Sequence, residues 1–284
     1  MDNMGYDLKS FLVTGSTGLL GREIERNTKD YNSKFFFTSR SPKKGNLQCD
    51  LTSLKDVKNL ADELSPSCII HCAAYVPKTL DDYDDFSASE KNIQMLENLL
   101  LVFSSPIVLI SSMTVYGMVS GEPVSENNDL NPQSAYGRGK MRAENILLKA
   151  DRPSLSVRIP GLYGSDRNNG LVYNLIHSLK ENITPVLPLR PLLWAGMDVS
   201  DAAKIILRVC HLDWSNLSVI NVGYRDKYSI NRLVAIVSGI FNKSIDYNIK
   251  HPTFQFDLNL LDQMGVTINN SLEQSIRAII NKHV

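Results

Sequence analysis

Apolar residues fall into short continuous runs, and between the runs they recur at helical spacing. Phe11-Leu12-Val13 opens the series. Lys34 to Arg40, Leu47-Gln48-Cys49-Asp50-Leu51, Cys68 to Ala74 and Ile107 to Ile110 continue it. The runs lack a polar–apolar alternation, as strands of a parallel sheet covered on both faces do. Helical patterns fill 18–30, 54–64 and 87–103; the last carries Ile93, Leu96, Leu99, Leu100 and Phe103 on one side. Thr52 or Ser53 can cap the second helix. Strand and helix alternate in this way up to residue 110, which predicts an α/β fold built on a doubly wound parallel Rossmann sheet.

Beyond the fifth strand, 118–133 is polar, with Gly121, Pro123, Asn131 and Pro132, and reads as a loop. A helix over 134–150 and a strand over 155–159 follow. After Gly161 the pattern changes. A polar turn at 166–170, a helix at 171–181 and a Pro-rich stretch at 183–193 read as a smaller C-terminal lobe. The remainder is predicted as a helix over 199–210, a strand over 219–222, a helix over 230–242 capped by Ser229, a strand near 246–250 and a helix over 271–281. The expected division is a dinucleotide-binding domain at 1–160 and a mainly substrate-binding lobe at 161–284. Residues 197–224 are expected to return to the first domain.

The most informative stretch joins the first strand to the first helix. Gly15, Gly18 and Gly21 stand three apart between an apolar run and a helical pattern. A dinucleotide pyrophosphate needs this order: a tight turn, close backbone approach and a helix packed on the strand. The helix N-terminus adds N–H donors and a positive dipole end. At the end of the second strand stands Arg40, with Ser39 before it and Lys43 and Lys44 after. A carboxylate there selects NAD through the ribose 2′-hydroxyl, whereas an arginine can pair with a 2′-phosphate. The residues favour NADP(H), with NAD(H) and a plain basic loop as the alternatives. The small pair Ala73-Ala74 lets a cofactor approach the end of the fourth strand.

A second constellation carries chemistry. Tyr136 and Lys140 stand four apart on a predicted helix and share one face. A lysine beside a tyrosine favours the phenolate, so a lowered Tyr136 pKa is expected. Ser112 adds a hydroxyl at the end of the fifth strand. Together Ser112 and Tyr136 offer a carbonyl two donors opposite a hydride source.

Composition narrows the reading. The 284 residues carry 30 Lys+Arg and 30 Asp+Glu, and a net charge of zero gives no sign of a nucleic-acid partner. No apolar run is long enough to span a bilayer, and no apolar segment follows Met1-Asp2-Asn3-Met4, so a cytoplasmic protein is expected. Cys49, Cys68, Cys72 and Cys210 lack metal-ligand spacing and read as free thiols. The acidic run Asp81-Asp82-Tyr83-Asp84-Asp85 reads as a solvated loop, and no metal site is expected. His177 and His211 read as surface or core residues of helices. Trp194, with Leu192, Leu193 and Met197, reads equally as a pocket wall or as packing.

The chain resembles the extended short-chain dehydrogenase/reductases that act on nucleotide sugars. The resemblance runs through Thr14-Gly15-x-x-Gly18-x-x-Gly21, Asp50-Leu51, His71 to Ala74, Asn92, Ser111-Ser112-x-x-Val115-Tyr116-Gly117, Tyr136-Gly137-Arg138-x-Lys140 with Glu144, Arg158-x-x-x-x-Tyr163-Gly164, and Asp257-x-x-x-Leu261-x-x-x-Gly265. It implies Tyr136 as general acid/base, Lys140 holding the nicotinamide ribose, and Ser112 polarising the substrate carbonyl. It implies cofactor contacts at Gly15, Ser16, Thr17, Gly18, Leu19, Leu20, Arg40, Asp50, Leu51, Ala73, Ala74, Tyr75, Asn92, Tyr136, Lys140 and Pro160. Substrate contacts are implied at Ser112, Met113, Thr114, Tyr136, Gly161 and Asn168. A homodimer is expected from the resemblance.

The departures sharpen the reading. Gly139 stands where the family usually has serine, which weakens that helical turn by up to ~1 kcal/mol. Met113-Thr114 replace the Asp-Glu of the family's dehydratases, so dehydration is set aside. Arg40 replaces the acid that epimerases of the family usually keep. The expectation is NADPH-dependent reduction of the C4 ketone of a nucleotide-linked 4-keto-6-deoxy sugar. The alternatives are an NAD-dependent epimerase or a non-catalytic NADP(H)-binding regulatory protein.

Overall fold

The computed structural model describes residues 9–41, 43–119 and 121–283. The first residues, read above for a leader, lie outside them. Strand β1 (Ser10–Thr14) is followed by helix α1 (Leu19–Asn27). Next come β2 (Lys34–Ser39), β3 (Leu47–Gln48), α2 (Leu54–Glu63), β4 (Cys68–His71) and α3 (Phe86–Val102). The chain continues through β5 (Ile107–Ser112), α4 (Ala135–Leu148) and β6 (Ser154–Ile159). These strands and β9 (Val219–Asn221) form one seven-stranded sheet in the order β3-β2-β1-β4-β5-β6-β9. Every pairing in it is parallel.

Successive side chains of a strand point to opposite faces, and the apolar runs use both. Phe11, Val13, Ile70, Val108 and Val157 face one way, against Leu20 and Ile24 of α1 and the apolar side of α6 (Val199–His211). Leu12, Ile69, Ile107 and Leu109 face the other way, against α2, α3 and α4 through Val57, Leu60, Ile93, Leu96, Leu99 and Leu147. The doubly covered sheet is thus the one that the uninterrupted apolar runs predict.

The lobe adds a two-stranded parallel pair, β7 (Gly161–Tyr163) with β8 (Gly196–Asp198), absent from the sequence reading. It also holds α5 (Leu171–Lys180), α7 (Ile230–Ile240), α8 (Asn259–Gln263) and α9 (Leu272–His283). The strand expected near 246–250 does not form. Its backbone is held instead by one side chain: Asn231 Nδ2 donates to the Ile249 carbonyl at 2.7 Å and its Oδ1 accepts from the His251 N–H at 2.9 Å. Backbone groups satisfied in that way need no partner strand. Two single bridges follow, Tyr228 with Phe254 and Val124 with Phe256.

A buried polar network lies under the sheet's carboxyl edge. Arg158 of β6 and Glu144 of α4 are 4 % and 8 % exposed. Arg158 Nη2 donates to Glu144 Oε2 at 2.7 Å, and Nε donates to both carboxylate oxygens. Nη1 donates to the Tyr116 hydroxyl at 2.9 Å and to the Glu126 carbonyl at 3.1 Å. The Tyr116 hydroxyl donates to Asn221 Oδ1 of β9 at 2.7 Å, and Ser111 donates to Glu144. Asn221 Nδ2 reaches the carbonyls of Val124 and Asp257. The loop at Val124 and Glu126 and the tail at Asp257 are thereby tied to the sheet.

Removing one member of a buried ion pair strands the other. Glu144→Ala is expected to cost about 3–5 kcal/mol. Urea denaturation checks it, and a loss below about 1 kcal/mol would contradict a closed, buried pair.

Candidate active site

The residues singled out by the motifs gather at the carboxyl ends of the parallel strands, where α/β sheets bind ligands. The turn after β1 is shaped by close approach. Gly15 has φ +68°, and a Cβ there would lie 2.7 Å from backbone atoms of Ala73. A Cβ on Gly21 would run into the Gly15 carbonyl. Gly18 offers no side chain to cap α1, so the first-turn N–H groups are left for an anion. Leu20 is buried beneath the turn and Leu19 half-buried. The Ser16 hydroxyl is spent within the protein: it donates to the Thr38 carbonyl at 3.0 Å and accepts from Asn46 Nδ2 at 2.5 Å. The Thr17 carbonyl accepts from Arg22 Nη1 at 3.0 Å.

Arg40 is exposed at the end of β2. Its Nη1 donates to the Tyr75 hydroxyl at 2.5 Å, and the guanidinium lies 5.5 Å from that ring's centroid. Lys43 pairs with Glu25 at 2.5 Å. Asn92 of α3 clasps the segment after β4, accepting from the Tyr75 N–H at 2.7 Å and donating to its carbonyl at 3.1 Å. Asn92 thus fixes the backbone of Tyr75 at the end of the Ala73-Ala74 segment. Asp50 turns inward to the Thr52 N–H and hydroxyl, at 3.0 and 2.8 Å. Leu51 is buried and its carbonyl accepts from Asn98. The fourth strand ends at His71, short of the expected Ala74, because the Ala73 N–H goes to Thr14 Oγ1 at 3.2 Å. The same hydroxyl meets His71 Nδ1 at 2.8 Å. Burial, with the nearby Lys140 charge, pushes the His71 pKa down to about 3, so this imidazole is neutral.

Ser112 and the pair Tyr136 and Lys140 lie where β5 meets α4. Ser112 ends β5 and begins a 3-10 turn, Met113–Val115, in which Met113 is buried. Ser134 caps α4, accepting from the Gly137 N–H at 3.1 Å. Gly137 packs on the Thr114 carbonyl, 2.8 Å from where a Cβ would stand. The first turn of α4 is thus pressed against the Ser112–Thr114 segment. Lys140 Nζ donates to the Ile110 carbonyl at 2.7 Å and lies 5.8 Å from the Tyr136 ring centroid. Burial brings Lys140 down to about 8, opposed by Glu144. Burial and Tyr83 raise the Tyr136 pKa above its ordinary value. The expected lowering of Tyr136 by Lys140 is therefore not found: desolvation outweighs a charge that lies over the ring and is tied to a carbonyl. Pro160 is buried after β6, Gly161 opens β7, and Asn168 is exposed in the turn before α5.

The RmlD substrate binding domain family matches residues 9–185. The chain belongs to that family. Among curated proteins, it is 28 % identical over 167 residues to methionine adenosyltransferase 2 subunit beta of Xenopus laevis, covering 57 % of this chain and 50 % of that protein. It is 25 % identical over 161 residues to dTDP-4-dehydrorhamnose reductase of Aggregatibacter actinomycetemcomitans, covering 56 % and 53 %. The chain thus spans about half the length of the curated relatives it matches. In fold it is similar to the Bordetella bronchiseptica enzyme WbmG in complex with NAD, at TM-score 0.77 and 17 % identity, covering 99 % and 97 % of the two chains. It is also similar to the GDP-mannoheptose C4 reductase MlghC of Campylobacter jejuni with NADP bound, at TM-score 0.76 and 15 % identity, covering 97 % and 98 %.

Several residues of this RmlD-family site have no periodic signal in the sequence. The acidic run is more than a solvated loop. Asp85 caps α3, and Asp84 accepts from the Ala135 N–H at 3.1 Å, capping α4 alongside Ser134. Tyr83 meets Tyr136 edge-on with centroids 5.9 Å apart. Asn46 and Thr14 brace the glycine turn and the wall opposite it. Capping spacing around Asp85 was the one usable cue. Among the described residues, no three His, Cys, Asp or Glu side chains are grouped to hold a metal.

His71 gives a test of the wall. The unfolded chain takes up a proton near pH 6.5 that the folded protein refuses until about 3. Stability therefore falls as pH drops below about 6.5, by up to about 1.4 kcal/mol per unit from this group alone. Urea unfolding of His71→Asn between pH 6.5 and 5 is expected to show a shallower slope than the parent; equal slopes would mean that His71 titrates normally.

Proposed function

We propose that the chain is an NAD(P)-dependent oxidoreductase that reduces the C4 ketone of a nucleotide-linked 4-keto-6-deoxy sugar, with NADPH as the preferred donor. The observation that carries this reading is the close packing of α4 on the Ser112–Thr114 segment. It brings a raised-pKa phenol and a buried ammonium to the end of β5. The glycine turn, the uncapped first turn of α1 and the small Ala73-Ala74 wall fit a dinucleotide. Arg40, exposed and without a carboxylate at the strand end, fits a 2′-phosphate. The lobe beyond Gly161 is the proposed seat of the sugar nucleotide.

Bound NADPH supplies the hydride. A raised pKa keeps Tyr136 protonated at neutral pH, so it can give its proton to the ketone oxygen as that oxygen gains charge. Ser112 donates a hydrogen bond to the same oxygen. Lys140, charged below about pH 8, holds the ribose and steadies the tyrosinate left behind. Asn92 and Thr14 keep the opposite wall in place.

A second reading follows from one observation: the Xenopus laevis relative is named as a subunit of another enzyme. On that reading the chain binds the dinucleotide and serves a partner protein. The retained Ser112, Tyr136 and Lys140 favour catalysis. An epimerase that keeps bound NAD is the third possibility.

Tyr136→Phe is expected to lower turnover of dTDP-4-dehydrorhamnose with NADPH by about 100-fold or more while NADPH binding stays within about twofold. Undiminished turnover in this variant would remove Tyr136 from the mechanism. Titration by nicotinamide fluorescence should show tighter binding of NADPH than of NADH. Arg40→Ala is expected to erase that difference, at a cost of about 1.5–3 kcal/mol for the lost charge-assisted bond. Co-purified NAD, or no preference in the parent protein, would move the reading to the epimerase.

A further inference from the structure

The Ser112 hydroxyl holds an unusual position within the site. A hydroxyl has one hydrogen and two lone pairs. Here the oxygen accepts twice from a single residue: from the Thr114 N–H at 3.2 Å and from the Thr114 hydroxyl at 3.0 Å. Among the described residues, none accepts the Ser112 hydrogen. Its acceptor capacity is thus filled, and its donor capacity is left over.

A ketone oxygen accepts hydrogen bonds and cannot donate them. A serine free to rotate could spend its hydrogen on a neighbour and present lone pairs to the substrate, which would repel a developing alkoxide. Thr114 blocks that arrangement by occupying the lone pairs itself. Its backbone is fixed independently, since Gly137 packs on the Thr114 carbonyl. The turn therefore presets the direction of the bond before any substrate arrives, and preset donors cost no reorganisation during reaction.

We propose that Thr114 is a positioning residue for carbonyl reduction, holding Ser112 as a pure hydrogen-bond donor. The inference rests on the reductase reading for its purpose, although the hydrogen-bond direction itself does not. It also gives Thr114 a role that differs from direct substrate contact: Thr114 acts through Ser112.

Two measurements test it. Neutron diffraction from perdeuterated full-length protein is expected to show the Thr114 deuteron on the line to Ser112 Oγ, with the Ser112 deuteron turned away from Thr114. A Ser112 deuteron pointing at Thr114 overturns the proposal whether or not the protein is a reductase. In kinetics with dTDP-4-dehydrorhamnose and NADPH, Thr114→Val keeps the shape and removes one donor. It is expected to lower kcat about tenfold, with KM and the NADPH Kd unchanged. Thr114→Ser, which keeps the hydroxyl, is expected to restore most of the rate. An unchanged kcat in Thr114→Val, or an equal loss in both variants, overturns the proposal. If the parent protein reduces no 4-keto sugar nucleotide, the reductase reading fails alone, and the neutron map still decides the orientation of Ser112.

Discussion

The buried pair between Glu144 and Arg158 is the constraint on which the site depends. Taking two charges out of water costs several kcal/mol per ion unless every donor and lone pair finds a partner. Here the fork of Arg158 meets the carboxylate on one side and Tyr116 and the Glu126 carbonyl on the other. That requirement draws five chain segments to one point: α4, β5, β6, β9 and the loop at Val124 and Glu126. Glu144 is one helical turn below Lys140 on α4. The orientation that closes the ion pair therefore also sets where Tyr136 and Lys140 point.

Burial governs the electrostatics above this pair, and it acts in opposite directions on acids and bases. It makes His71 neutral, brings Lys140 towards neutrality and keeps Tyr136 protonated. Glu144 counters part of the effect on Lys140. The result at neutral pH is an uncharged phenol beside the Lys140 ammonium. That pairing suits the donation of a proton better than its removal. The expectation of an activated phenolate took the Tyr-x-x-x-Lys spacing as the dominant influence, whereas desolvation is the larger one.

The sheet was legible because strands buried on both faces leave a plain mark, continuous apolar runs such as Cys68 to His71. The glycine turn was legible because its spacing answers steric demands that only glycine meets at Gly15 and Gly21. What escaped reading depends on partners distant in sequence. A strand was expected near 246–250, yet Asn231 takes up the Ile249 carbonyl and the His251 N–H. β7 and β8 are short, and 32 residues separate Tyr163 from Gly196, so neither announces the other. Within the acidic run, the charges suggested solvent. The decisive fact is instead that Asp84 ends beside α4 and brings Tyr83 onto Tyr136. Likewise, the bond from Thr114 to Ser112 belongs to a turn geometry that residue identity alone does not fix.

The short outer strands have a consequence for how the molecule meets its neighbours. β3 has two residues and β9 three, and they form the two margins of the sheet. A long, straight margin would display a row of free N–H and C=O groups on which a foreign strand could template itself. Margins this brief offer too few rungs for such a ladder. The Asn221 side chain, bound to the carbonyls of Val124 and Asp257, further fills the space beside β9 with the chain's own loop and tail. A parallel sheet assembles slowly because its pairings join distant segments. Growth that stops after seven strands keeps that slow assembly from becoming an invitation to aggregate.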